Sequence, residues 1–405
     1  VTMRALASCP KVYRAETERA VDPGTTLRRA EAAVPATGIT RVADITGLDR
    51  VGIPVFSCIR PTAADGAISV YNGKGATPLL ARVSAVMEGV ERYSAEVHDR
   101  ELTVARFSEL GPGAALDPED LVLPARSDPE AALPWVRGHD LVTGEEVLVP
   151  AHAVFHPLPP GSPPLFRTST NGIASGNTLE EAVFHALGEV IERDAWSIVE
   201  ATRDAGPAIV DPAHSTVRGL LERFRKANVP VLLRDITSDI GIPTVAAVAE
   251  DPVLRDPALL VIGMGTHTDP DLAALRALTE VAQSRATQIH GAREDTTTGD
   301  LRRAVGYDRA RRMNRYWFEA KGEVAADAIP SLGTDDFLED IRVMLDRLRG
   351  VGLERAVGVD LSRPETGLSV VRVVVPGLEC WAMDPERRGG RCRDARLHRL
   401  SRPEL

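Results

Sequence analysis

Two runs of carboxylates have a spacing that could do chemistry. Ser84, Glu88 and Glu91 fall at offsets zero, four and seven; His185, Glu189 and Glu192 repeat that spacing, with Glu181 one further turn back. On a helix these offsets put every member on one face. Both runs finish in Glu-Arg, at Glu91-Arg92 and Glu192-Arg193. A solvated acidic face is the ordinary fate of helical glutamates. The competing reading is a cation site, because gathered carboxylates repel one another unless a cation intervenes. Hard oxygen ligands suit Mg²⁺, which keeps several waters and bridges phosphate oxygens. Glycine-bearing turns, Gly73 to Thr77 and Gly172 to Thr178, precede the two runs and offer backbone N–H groups to an anion. Only four of the 48 basic residues are lysines, so Lys74 within Asn72-Gly-Lys-Gly75 draws attention as a compact charge for a phosphate. A solvated turn lysine is the alternative there.

The elements that must position these residues are themselves repeated. Ala81 to Arg92 aligns with Ala182 to Arg193, and Ala273 to Ser284 is a third copy sharing Ala, Ala and Glu at matching offsets. That copy carries Gln283 and then Arg285 in place of a second glutamate, so it reads as a phosphate or substrate contact. A second motif also recurs: Asp44-Ile-Thr runs into Gly52-Ile-Pro-Val, and Asp235-Ile-Thr into Gly241-Ile-Pro. Weaker versions run from Asp140 to Val147 and from Asp360 to Gly367. Branched apolar runs flanking a polar, glycine-bearing turn predict β-hairpins. Hairpin, glycine turn, helix is therefore the theme. It predicts a pseudo-symmetric α/β (α+β) core of largely antiparallel sheet with packed helices. The expected division is an N-terminal segment and first hairpin integral to the core over residues 1–65, a main domain over 66–380, and a loosely held basic tail over 381–405. Gly111 to Pro134, Pro157 to Pro164 and Glu294 to Asp300 read as connectors.

The 405 residues are 43% hydrophobic and 26% charged, ordinary for a soluble globular protein. No apolar run is long enough to span a membrane, and no charged leader opens the sequence. Cys9, Cys58, Cys380 and Cys392 make no CxxC pair, which fits inert thiols in a reducing cytoplasm. A net charge of −10 disfavours nonspecific nucleic-acid binding. There is no GxxxxGK[ST] P-loop, no dinucleotide fingerprint, and no placeable Ser-His-Asp or Cys-His arrangement.

Ser84-x-x-x-Glu88-x-x-Glu91-Arg92 and Asn177-x-x-x-Glu181, followed by Glu189-x-x-Glu192-Arg193, resemble the nucleotide-binding signature of the YcaO family. The likeness runs from about Lys11 to Gly377. Gly38 to Asp49 and Ser69 to Pro78 resemble the methanogen branch linked to thioamidation of methyl-coenzyme M reductase. The resemblance implies a YcaO-type fold that binds ATP and Mg²⁺. Glu88, Glu91, Glu181, Glu189 and Glu192 would hold Mg²⁺; Lys74, Arg193 and Arg285 would contact phosphates. Ser84 and Asn177 would seat the nucleotide, and Lys11 matches an N-terminal nucleotide contact. Glu88, Glu192 and Arg193 would be catalytic. The implied reaction is O-phosphorylation of a backbone amide. An external sulfur source then gives a thioamide, and a neighbouring Cys, Ser or Thr gives an azoline. The ending Ser401-Arg-Pro-Glu-Leu405 lacks the proline-rich pattern of azoline-forming members, which favours thioamidation. A peptide or protein substrate, in particular the reductase alpha subunit, a TfuA-type partner or sulfide donor, and a homodimer are the implied associations. A non-catalytic ATP-binding scaffold is a further reading.

Overall fold

A computed structural model describes residues 3–159, 161–294 and 302–400. Its smallest recurring unit is the hairpin. Arg41–Asp44 (β3) pairs antiparallel with Val55–Ile59 (β4), Leu133–Asp140 (β7) with Glu146–Pro150 (β8), Val231–Asp235 (β11) with Thr244–Ala249 (β12), and Val357–Asp360 (β15) with Ser369–Val374 (β16). All four predicted hairpins are present. The recurring aspartate has one job in each: Asp44, Asp140, Asp235 and Asp360 accept a hydrogen bond from the N–H two residues on, at 2.8–3.0 Å. This side-chain turn leads the chain out of the first strand. A left-handed glycine (Gly52, Gly144, Gly241 or Gly367) then helps return it toward the second.

Each hairpin–strand–helix unit is built on a third strand and its helix. Val70–Lys74 (β5) pairs with β4 and leads into Pro78–Ser94 (α2); Val261–Thr266 (β13) pairs with β12 and leads into Pro270–His290 (α6). Ile173–Gly176 (β9) leads into Leu179–Thr202 (α4), but its neighbour is β16. The theme therefore holds in chain order for the first and third units. The second takes its hairpin from far downstream, residues 357–374. Thr77, Thr178 and Asp269 cap the three helices at equivalent positions, each accepting from the first turn. The shared alanines have a packing reason. A Cβ on Gly73 would lie 2.0 Å from Ala85 N, and one on Gly265 2.1 Å from Ala273 O, so strand and helix backbones touch directly.

The three units close a ring. α2 touches β9, α4 touches β13 and α6 touches β5, so each helix leans on the strand of the next unit. Outer helices cover the inner ones. Pro23–Thr37 (α1) lies on α2 and Ser215–Lys226 (α5) on α6, while Phe337–Gly350 (the helix after two short turns, α9) and Gly390–Leu400 (α10) lie on α4. The short helices Phe107–Leu110 (α3), Tyr307–Met313 (α7) and Arg315–Phe318 (α8) are peripheral. Mixed helix and sheet in this arrangement is the expected fold class.

The basic stretch expected to hang loose does not do so up to Leu400. Arg391 forks onto the fully buried Asp194 of α4 at 2.8 and 2.9 Å, and the Cys392 N–H donates to Glu379. An arginine answering a buried carboxylate outweighs the poverty of apolar residues, which is why composition misled. Ser401 to Leu405, Pro160 and most of the Glu294–Asp300 connector lie outside the described residues. All four cysteines are free and buried. No described helix is long and apolar enough to cross a membrane.

Candidate functional site

The inner helices bring their carboxylates to one polar centre. Glu88 and Glu91 come from α2, Glu189 and Glu192 from α4, and Glu280 from α6, where it occupies the position equivalent to Glu88 and Glu189. Glu88, Glu91, Glu189 and Glu280 are half-buried and Glu192 is buried. Cations sit between them. Arg92 reaches Glu88 at 3.1 Å, and Arg193 lies 3.5 Å from Glu192. Lys74, at the end of β5, forms a close ion pair with Glu280 across two units. Further contacts join units: Ser175 N donates to Glu91 at 3.1 Å, Gln283 Nε2 donates to the Asn72 carbonyl, and Asn72 Nδ2 donates to Thr287 at 2.7 Å.

Protonation follows from burial and neighbours. Burial, reinforced by Glu189 and Glu88 against Arg92, pushes the Glu91 carboxyl up to about 8. Burial also raises Glu192, with Glu280 adding to it and Arg193 opposing. Burial would raise Glu280 as well, but Lys74 and Arg193 outweigh it and hold that carboxyl below its ordinary range. Burial disfavours the charged forms of Arg92 and Arg193, yet the surrounding glutamates outweigh it and both are raised. His185, at the α4 position equivalent to Ser84, stays neutral because burial and then Arg19 and Arg276 lower it well below its usual value.

The remaining expected residues divide into two groups. Ser84 Oγ accepts from the Lys74 N–H at 3.2 Å, fixing the turn that carries the lysine. Asn177 donates to both oxygens of Glu181 at 3.2 Å and to Thr26 at 3.0 Å, and Glu181 also accepts from Ala20 N at 2.9 Å. Asn177, half-buried, and Glu181, buried, thus tie the start of α4 to the N-terminal segment. Arg285 and Lys11 are placed differently from expectation. Arg285 is fully buried and forks onto Asp49 at 2.8 and 2.9 Å, with Asp251 at 3.1 Å. The Lys11 ammonium is buried between Glu18 and Asp340, the latter at 2.6 Å, over the rings of Phe184 and Phe337. Both cations thus have carboxylate partners in the interior, where the sequence reading gave them phosphate.

Glu280 and Arg276 were absent from the sequence-based site. The signal for Glu280 was present, since the repeat itself aligns it with Glu88 and Glu189. Arg276 takes the place of Ser84 and His185 in the third copy, and its charge acts on Glu192 and Glu280. Arg372 of β16 acts on Glu189 and Arg92; nothing in its sequence neighbourhood announces that.

What the centre can hold follows from its unmet needs. Among the described residues no group of three or more His, Cys, Asp or Glu side chains makes a ready metal cage. Arg92 Nε and Nη1, Arg193 Nε and Arg276 Nε are buried without a hydrogen-bond partner. An orphaned buried donor costs about 1–3 kcal/mol, more when charged. Carboxylates interleaved with unsatisfied guanidinium groups suit a polyphosphate that brings its own hydrated divalent cation, because Mg²⁺ is ordinarily shared between one or two carboxylates and phosphate oxygens.

Comparison with known proteins agrees with that chemistry. A family model described as YcaO cyclodehydratase, ATP- and Mg²⁺-binding, matches residues 72–379. An uncharacterised protein of Methanothermobacter thermautotrophicus is 52% identical, covering 93% of this chain and 99% of its own length. An uncharacterised protein from the tfuA 3′ region of Rhizobium leguminosarum bv. trifolii is 36% identical over 89% of each chain. The structure of YcaO from Methanopyrus kandleri bound with AMPPCP and Mg²⁺ superposes with a TM-score of 0.79 at 33% identity, covering 94% of this chain and 98% of that one. With its three-unit ring and glutamate-lined centre, this chain belongs to the YcaO family.

Proposed function

We propose that this protein uses ATP and Mg²⁺ to activate a backbone amide of a peptide or protein and replaces the amide oxygen with sulfur. The observation that carries the ATP-dependent part is the ring of Glu88, Glu91, Glu189, Glu192 and Glu280 interleaved with Lys74, Arg92 and Arg193. In this reading Glu88, Glu91, Glu181, Glu189 and Glu192 hold Mg²⁺, which offsets the negative charge of the phosphates. Lys74 and Arg193 contact phosphate, and Ser84 and Asn177 seat the nucleotide. Glu280 keeps Lys74 poised at the end of β5 until phosphate competes for it. Fixed cations aimed at the transferring group act without reorganisation during transfer.

The balanced conversion takes an amide, hydrosulfide and ATP to a thioamide, ADP and inorganic phosphate. Sulfur bonds to the carbonyl carbon, the former amide oxygen departs on phosphate, and the hydrosulfide proton ends on that phosphate. Kinship to a methanogen protein and to one encoded beside tfuA supports thioamidation, a glycine-containing methyl-coenzyme M reductase segment as substrate, and a TfuA-type partner delivering sulfur. The family description favours a second reading, azoline formation by cyclodehydration. We take the protein to act as a homodimer, which light scattering on the purified chain tests.

Mass spectrometry of a reductase peptide incubated with enzyme, ATP, Mg²⁺ and sulfide separates these readings. Sulfur gained for oxygen supports thioamidation, loss of water supports the azoline reading, and no ATP-dependent change on either a reductase or a Cys/Ser/Thr-bearing peptide rejects both. Glu88→Gln and Glu192→Gln are each expected to lower ATP turnover by about a hundredfold or more. Their melting temperatures should stay near that of the parent protein. Unchanged turnover in both variants would remove the metal-site assignment.

A further inference from the structure

Behind the glutamate centre, the chain that follows β16 wraps the far side of α4. Asp194 and Ser197 come two and five residues after Glu192, which turns them about 200° and about 140° around the helix from it. They therefore face away from the side that carries Glu189 and Glu192, and both are fully buried. Asp194 Oδ1 accepts from the Glu379 N–H at 3.0 Å and from Arg391 Nε at 2.9 Å, while its Oδ2 accepts from Arg391 Nη2 at 2.8 Å. Ser197 Oγ accepts from the Ala382 N–H at 3.1 Å and donates to the Arg193 carbonyl at 2.7 Å. Glu379 ties the loop to itself by accepting from the N–H groups of Gly389 and Cys392 at 2.8 and 2.9 Å.

Arg391 does more than anchor α10. Its guanidinium also reaches Asp239, in the turn between β11 and β12, with Nη2 at 2.6 Å and Nη1 at 3.3 Å. Asp194 belongs to the second unit and Asp239 to the third, whose α6 carries Glu280. One planar cation thus spans two units whose glutamates meet in the centre. Apolar packing of α4 is non-directional; the forked ion pair adds a contact fixed in both distance and angle. The charge of Glu280 acts on Glu192, so a change in their separation is felt within the site. Misplacing a group by about 1 Å can cost about a hundredfold where a site works by positioning.

We propose that Arg391 is a positioning residue of the nucleotide site: by holding Asp194 and Asp239 together, it sets the rotation of α4 and so aims the Glu192 carboxylate at the centre. Arg391 lies across α4 from that carboxylate and acts through the helix. The proposal rests on the reading of Glu192 as a Mg²⁺ ligand. It gives the stretch from Glu379 to Arg391 a part in nucleotide binding although none of it lines the centre.

Calorimetric titration of the full chain with AMPPCP and Mg²⁺, which needs no turnover, tests this. Arg391→Lys keeps a positive charge beside Asp194 but loses the planar fork. It is expected to weaken Mg²⁺-AMPPCP binding by about five- to tenfold at a temperature where the variant is folded, with a stoichiometry near that of the parent. A role in stability alone would lower the melting temperature or the stoichiometry and leave the dissociation constant unchanged, and that result overturns the proposal. On a Glu192→Gln background, Arg391→Lys should cost clearly less than it costs the parent; equal fold-losses on both backgrounds overturn the route through Glu192. Glu192→Gln binding as tightly as the parent rejects the Mg²⁺ reading and the proposal with it. Weaker binding by Glu192→Gln beside an unchanged Arg391→Lys rejects the positioning role alone. If Arg391→Lys does not fold, Asp239→Asn relaxes the same grip from an exposed turn outside α4. It is expected to weaken binding by about two- to threefold, an unchanged constant again overturning the proposal.

Discussion

At Glu91 the carboxyl is pushed up to about 8 by burial and by Glu189 and Glu88, so near neutral pH the nucleotide-free protein holds a proton there. As one of the proposed Mg²⁺ ligands, Glu91 would have to give up that proton to coordinate the cation. Affinity for Mg²⁺-ATP should therefore increase as pH rises toward about 8, with a proton released on binding. Calorimetric titration in buffers of differing ionisation heat checks this, and proton uptake or no transfer would contradict it. The sign for stability is opposite. A folded value above the unfolded one of about 4.5 means that the empty protein loses stability as pH climbs between the two. Lys74 and Glu280 form the other testable pair. If the glutamate acts only through the lysine, Lys74→Met with Glu280→Gln should lose no more turnover than Lys74→Met alone; additive losses would show an independent role for Glu280. Spacing made Glu88, Glu91, Glu189 and Glu192 legible because side chains four and seven apart on one helix must share a face. The interior partners of Arg285 and Lys11 were hidden because Asp49, Asp251 and Asp340 are distant in the chain, although Glu18 lies close to Lys11 in sequence. No local pattern reports which buried carboxylate will claim an arginine.

For the elements, the sequence was most legible where the backbone itself is constrained. Aspartate before the turn and glycine after it located every one of the four hairpins, since both residue types are demanded by local geometry. The paired alanines were visible as a repeat, but their reason appears only when the glycine strands are laid on them. Gly73→Ala and Gly265→Ala should thus each destabilise the protein by about 1–3 kcal/mol or more, because the new methyl meets backbone that cannot rotate away. Gly113→Ala, in open space, is the control. Equal urea midpoints for all three would dismiss the direct-contact account. The α10 helix was illegible for the opposite reason: its anchorage depends on Asp194, buried in another element, rather than on an apolar stripe of its own.

Across the whole molecule, three copies of one unit make a ring whose centre no single copy could form. The repeat forecast three helices with a shared pattern; it did not forecast that each would lean on the next unit's strand, nor that the third would contribute Glu280. It also assigned each hairpin to the helix that follows it, which fails for the second unit. β9 pairs with β16, and β16 is among the last strands of the chain. This arrangement has a consequence for synthesis. A ribosome delivers the chain from its N-terminus, so the first and third units are complete while β9 still lacks its one sheet neighbour, β16. The second wall of the nucleotide site must wait for residues 357–374 to emerge. Ribosome-stalled chains halted after residue 350 are accordingly expected to retain no fluorescent ATP analogue, whereas chains extended through an inert linker past residue 400 should retain it. Nucleotide capture by the shorter chains would show that the late strands are dispensable for the site.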